Sequence, residues 1–168
     1  MEFTSASANK YLRRLQDEKD YILNTELERC VYVLSEGEAA EPPAYSYRET
    51  RDKVEEIDRV TRILRHGLHQ FNMVTVLPQC GLTIDEALIA LAQLSVERDR
   101  VAELRARQPK VRLGERPVGA GVTKVEYRYA NYDVQEAERD YEALSEKIAA
   151  IQLELDLANQ TKTFEVAL

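Results

Sequence analysis

The sequence predicts a mainly α protein: a long antiparallel helical hairpin within a bundle of four helices, carrying a small β-hairpin as its minor element. Three observations predict it. Apolar residues recur at steps of three and four over stretches longer than twenty residues, the signature of amphipathic helices. Glycine and proline number six and five in 168 residues, too few for a many-turned all-β chain. Strict period-two alternation occurs in one tract only, around residues 122–129. With 44% hydrophobic and 32% charged residues the chain can bury a core, which excludes wholesale disorder. Its length suits a single domain spanning 1–168.

The first helix is expected within residues 1–34, its periodic part starting near Ser7. Leu12, Leu15, Ile22, Leu27, Cys30 and Leu34 form one stripe, interrupted by Lys19, whose stem can lie over the seam while its ammonium reaches water. An acidic linker at 35–45 follows, where Gly37, Pro42 and Pro43 stop the helix. The second helix, 46–72, steps through Val54, Ile57, Thr61, Leu64, Leu68 and Phe71 without a break, and Val60 and Ile63 widen its stripe. A partner of similar length is required, because an isolated helix gains little from propensity alone. The first helix supplies it.

Residues 73–82 read as a brief strand or extended crossover, β-branched at Val74, Thr75 and Val76 and ended by Pro78 and Gly81. The third helix, 83–108, opens on a capping box, Thr83 with Glu86. Its front half is apolar nearly all round and is expected to be deeply buried; its back half, rich in arginine and acid, is expected to be wet. Residues 110–130 read as a β-hairpin with a long loop from Gly114 to Gly121. In its second strand Thr123, Val125, Tyr127 and Tyr129 take one face and Lys124, Glu126 and Arg128 the other. The fourth helix, 133–159, begins at Asp133 and holds a seam through Val134, Ala137, Tyr141, Leu144, Ile148, Ile151, Leu155 and Ala158. A second row, Ala150, Leu153 and Leu157, implies packing on two sides. The extended tail, 160–168, is expected to pair with Val74 to Leu77.

Chemistry is sparsely signalled. His66 and His69 have metal-pair spacing but no third ligand in sequence, so no metal site is expected. Cys30 and Cys80 form neither a C-x-x-C motif nor a disulfide framework. The carboxylate clusters lie in the linker or on polar helix faces, where solvation keeps them ordinary. No P-loop, nucleophile elbow, dinucleotide fingerprint or H-E-x-x-H motif is present, so neither a catalytic residue nor a cofactor is expected. The first residues lack the basic and apolar regions of a signal peptide, and no apolar run is long enough to span a bilayer, which predicts a cytoplasmic protein.

Charge is unevenly placed. From Arg105 to Arg128 the basic residues are Arg105, Arg107, Lys110, Arg112, Arg116, Lys124 and Arg128, against Glu115 and Glu126, a surplus of five. Since the whole chain carries −7, the remainder carries −12. A basic hairpin near Tyr127, Tyr129 and Tyr132 is a candidate partner-binding surface for RNA or DNA, through phosphate contacts and base stacking. Pairing of that surface with acidic helices, in the same chain or a neighbouring subunit, ranks ahead of nucleic acid.

The order of elements resembles that of a small family of bacterial helical proteins, the septicolysin-like family. Two tracts carry the resemblance: Ile57 to Asn72 leading to Gly81-Leu82-Thr83, and Val125-Glu126-Tyr127 through Asp133-Val134 and Leu144-Ser145-Glu146-Lys147 to Ile151-Gln152, Asn159 and Glu165-Val166. The chain departs from it at Gln160, where an aromatic is expected, and in the spacing at Leu155 to Leu157. The resemblance implies a coiled-coil protein without an established enzymatic site, and the family name suggests a pore-forming toxin. The first expectation is therefore a non-enzymatic, self-associating scaffold or adaptor, a homo-oligomer assembled through Ile148, Ala150, Ile151, Leu153, Leu155 and Leu157. The second is a nucleic-acid-binding module, and the third a membrane-active protein.

Overall fold

The computed structural model describes residues 1–119 and 121–168. In chain order the elements are β1 (Glu2–Thr4), α1 (Ser5–Arg29), α2 (Tyr47–Val74), α3 (Ile84–Arg105), β2 (Lys110–Gly119), β3 (Val122–Tyr129), α4 (Val134–Thr161) and β4 (Thr163–Glu165). The protein is mainly α, as the sequence predicts, with two small antiparallel strand pairs, of which β2–β3 is the expected hairpin. It divides into two compact units, one formed by Met1–Val76 with Asp156–Leu168, the other by Leu77–Leu155.

In the first unit α1 and α2 form the expected antiparallel hairpin. Ala8 clusters with Leu64, Lys19 meets Asp58, and Tyr45 donates to Glu26, a series in which one partner's number rises as the other's falls. Lys19, the interruption in the α1 stripe, is therefore an inter-helix ion pair at 2.7 Å. Two expectations are corrected here. The tail does not pair with Val74 to Leu77; β4 pairs with β1, aligning Glu2 with Glu165, Phe3 with Phe164 and Thr4 with Thr163. The Met1 ammonium donates to the Val166 carbonyl at 2.7 Å and the Val166 amide donates back to Met1. Phe3 drives the exchange, because it enters the core with Ala8, Leu64 and Val166, whereas Val74 completes the last turn of α2.

The other correction concerns the ends of α1. It starts after the strand, on a capping box between Thr4 and Ser7, and stops at Arg29. Val31, Val33 and Leu34 lie beyond it, and Val33 is 95% exposed. A β-branched pair around Tyr32 has low helix propensity, and nothing packs there to override it.

In the second unit Leu77 is fully buried at the start of a tight turn, in which Gly81 donates to the Leu77 carbonyl and Leu77 donates to that of Leu82. Gly81 adopts φ +72°, a conformation glycine accepts without strain. The capping box of Thr83 and Glu86 then opens α3 as predicted. The front half of α3 is not deeply buried. Ile84 and Ala87 are, but Leu88 and Ile89 are about half exposed, because only one flank of the helix meets a neighbour. The expected loop from Gly114 is largely strand: β2 continues to Gly119 through two bulges, at Arg112/Gly114 and Pro117/Gly119, and Ala120 lies outside the described residues. Asp133 caps α4 by accepting from the Gln135 amide.

Candidate functional site

The hairpin of β2 and β3 is the charged surface that the sequence singles out, and register decides what each face carries. Residues directly opposite in an antiparallel pair project to the same side. Lys110 lies opposite Tyr129 and Arg112 opposite Tyr127, so the tyrosine face also receives two cations from β2. The Lys110 ammonium sits 4.1 Å from the Tyr127 ring centroid and 5.4 Å from that of Tyr129, and the two rings are 6.3 Å apart. β3 alternation alone separates the tyrosines from Lys124 and Arg128. The opposite strand brings basic and aromatic groups together.

The other face carries Arg116 directly opposite Lys124, a like-charge pair, with Glu126 two residues along accepting from Arg116 at 2.9 Å. All of β3 is exposed, so neither face is spent on a core. Several of the seven predicted cations are already engaged. Arg105 donates to Glu138 at 2.7 Å and lies 3.6 Å above the Tyr141 ring, which ties α3 to α4. Arg112 pairs with Glu115 at 3.0 Å. Among the described residues Arg107, Lys110, Lys124 and Arg128 have no carboxylate partner, Lys110 lying instead over the two tyrosine rings.

The six α4 residues expected to mediate assembly fall into two sets. Ile148, Ile151 and Leu155 are each 4% exposed and belong to the chain's own core. Ala150, Leu153 and Leu157 are exposed, the two leucines by 73% and 62%. The second row is thus apolar but uncovered, where the sequence led us to expect packing on two sides.

His66 and His69 are both exposed on α2. Among the described residues no three His, Cys, Asp or Glu side chains gather to hold a metal. Both cysteines are free thiols. Among the same residues no helix is long and apolar enough to cross a membrane.

Sequence reasoning missed one polar group at the heart of the second unit. Glu154, 6% exposed, accepts from the Gln79 amide at 2.7 Å and the Cys80 amide at 3.1 Å, so α4 holds the turn that leads into α3. A charge-assisted acceptor for two backbone N–H groups offsets the desolvation of a carboxylate. The available signal was a lone acid among Ile151, Leu153 and Leu155, in the most apolar stretch of the helix.

No family model matches the chain, and no curated protein matches it. The crystal structure of a functionally unknown conserved protein from Corynebacterium diphtheriae is similar, with a TM-score of 0.60 and 17% identity over 98% of this chain and 100% of that one. That likeness shows the fold.

Proposed function

We propose that the protein is a non-enzymatic, self-associating helical scaffold acting in the cytoplasm, its partner a second copy of this chain. The observation that carries the reading is the exposed pair Leu153 and Leu157, four residues apart on a helix whose opposite seam is already buried. Charge supports the choice of a second copy. A chain with five surplus positive charges around its hairpin and −12 elsewhere is complementary to itself. Symmetric pairing would cover the leucines on both copies at once. Size-exclusion chromatography with light scattering tests this: a defined oligomer that dissociates in the double variant Leu153→Glu, Leu157→Glu supports it. A wild-type monomer at micromolar concentration overturns it. Membership of the septicolysin-like family is part of the same proposal and rests on the two sequence tracts described above.

A second reading, binding of single-stranded nucleic acid by the hairpin, is favoured by the placement of Lys110 and Arg112 beside Tyr127 and Tyr129. Aromatic faces next to cations suit stacked bases and the phosphates that join them. Binding of labelled RNA or DNA that weakens with salt, and whose salt slope falls by about one for each phosphate-contacting cation removed, supports it. No shift at low salt removes it.

A further inference from the structure

At the root of the hairpin lies a cavity of about 380 Å³, walled by Leu104, Val111, Tyr129 and Tyr132 and edged by Arg107 and Arg128. We propose that it binds a small organic anion with a flat apolar body, its phosphate or carboxylate held between the two guanidinium groups. The proposal rests on neither reading above.

The arginines of this region are not alike. Arg105, Arg112 and Arg116 each hold a carboxylate within 3.0 Å. Arg107 and Arg128 have none among the described residues, and no Asp or Glu lines the cavity. Two unneutralised guanidinium groups on one concavity repel each other and favour an anion between them; their planar forks match the oxygens of a carboxylate or phosphate. The rest of the lining is mainly apolar or aromatic, with Gln108 and Asn131 as neutral polar groups, and the volume falls near the lower end of that of small-molecule sites. Such a site takes one charge and one ring system.

The walls are held before any ligand arrives. The Tyr132 hydroxyl donates to the Leu104 carbonyl at 2.7 Å, and the Ala130 amide donates to Pro109 at 3.0 Å. The Arg107 amide donates to Leu104 at 3.1 Å, continuing the end of α3 into the cavity rim. These three bonds join the end of α3, the start of β2 and the segment after β3. Binding therefore has little ordering to do, which is the condition for affinity from few contacts.

The test is a titration of the isotope-labelled full chain, followed through its amide resonances, with four probes: adenosine 5′-monophosphate, 2-naphthoate, adenosine and inorganic phosphate. Saturable shifts at Leu104, Val111, Ala130 and Asn131 are expected with the nucleotide or the naphthoate. The stronger of the two assigns phosphate or carboxylate as the preferred head. Adenosine lacks the charge and phosphate lacks the ring, so each should bind at least about tenfold more weakly. Arg107→Gln and Arg128→Gln should each weaken binding by about tenfold or more, the scale of one charge-assisted hydrogen bond. Arg100→Gln, which removes the same charge from α3 outside the cavity, should leave affinity unchanged. No saturable shift with either organic anion overturns the proposal. So does adenosine binding as tightly as its phosphate, or an Arg100→Gln loss equal to that of Arg107→Gln in chains whose spectra remain those of the folded protein.

Discussion

A side-chain carbon built on Gly67 would lie 2.8 Å from Cγ2 of Val166, closer than two carbons can approach without one moving. The C-terminal segment thus packs directly on the backbone of α2, and Phe164 stacks on Phe71 beside it with centroids 5.0 Å apart. Glycine within a helix costs about 1 kcal/mol relative to alanine, so Gly67→Ala on an unobstructed helix would stabilise. Here the opposite is expected, because overpacking typically costs about 1–3 kcal/mol. Thermal unfolding should show a lower Tm for Gly67→Ala, and Val166→Ala should recover part of the loss. A double-mutant cycle with no coupling between the two positions would contradict this contact.

The two sets of apolar residues on α4 should respond differently. Ile148→Ala removes a side chain from the core and should cost about 2–5 kcal/mol in chemical denaturation. Leu153→Glu should leave monomer stability within about 0.5 kcal/mol, as surface substitutions do. Its effect should fall on particle mass, read by light scattering.

Glu154→Ala should destabilise the second unit by about 1–3 kcal/mol, since two amides lose their acceptor and a buried volume empties. Glu154→Gln retains the volume and one acceptor oxygen and should cost less. Hydrogen exchange at the Gln79 and Cys80 amides reads the change locally. Exchange as slow in the alanine variant as in the parent would show that those bonds do not hold the turn.

The start of α3 should be acid-sensitive. Hydrogen bonds from the Thr83 backbone and side chain hold the Glu86 carboxyl below its ordinary range. A carboxylate whose folded pKa is depressed contributes stability that is complete above its unfolded pKa and disappears as pH falls through the folded one. Fraying at the first turn of α3 should therefore increase below about pH 4, and Glu86→Gln should remove that dependence. Amide exchange at Glu86 and Ala87, followed against pH, checks it.

Much of the architecture was legible because helical seams write themselves into the chain at a fixed period. The spacing of Ile57, Leu64, Leu68 and Phe71 marks an inward stripe, and all four are buried. A period marks an apolar face without revealing whether anything covers it, which is why Leu88 and Leu153 were expected to be packed and are exposed. Three residues are too few to show alternation, and the partner of Glu2–Thr4 lies at the far end of the sequence, so β1 had no local signal. The composition of the hairpin's tyrosine face depended on the pairing of β2 with β3, where bulges shift the register; alternation in β3 alone could not place Lys110 and Arg112. Gly67 likewise looked like any helical glycine, since Val166 is distant along the chain.

Pairing of Phe3 with Phe164 sets an order of events during synthesis. The second unit is one uninterrupted stretch, Leu77 to Leu155, and all of it has been made before β4 exists. Its contacts lie within that stretch, whereas Phe3 of β1 waits for a strand made after all of it. Closing the first unit then joins segments separated by nearly the whole sequence, a contact of the kind that slows folding. The strand made before α1 is thus among the last segments to find its native neighbours, and until then the Phe3 ring stays in water.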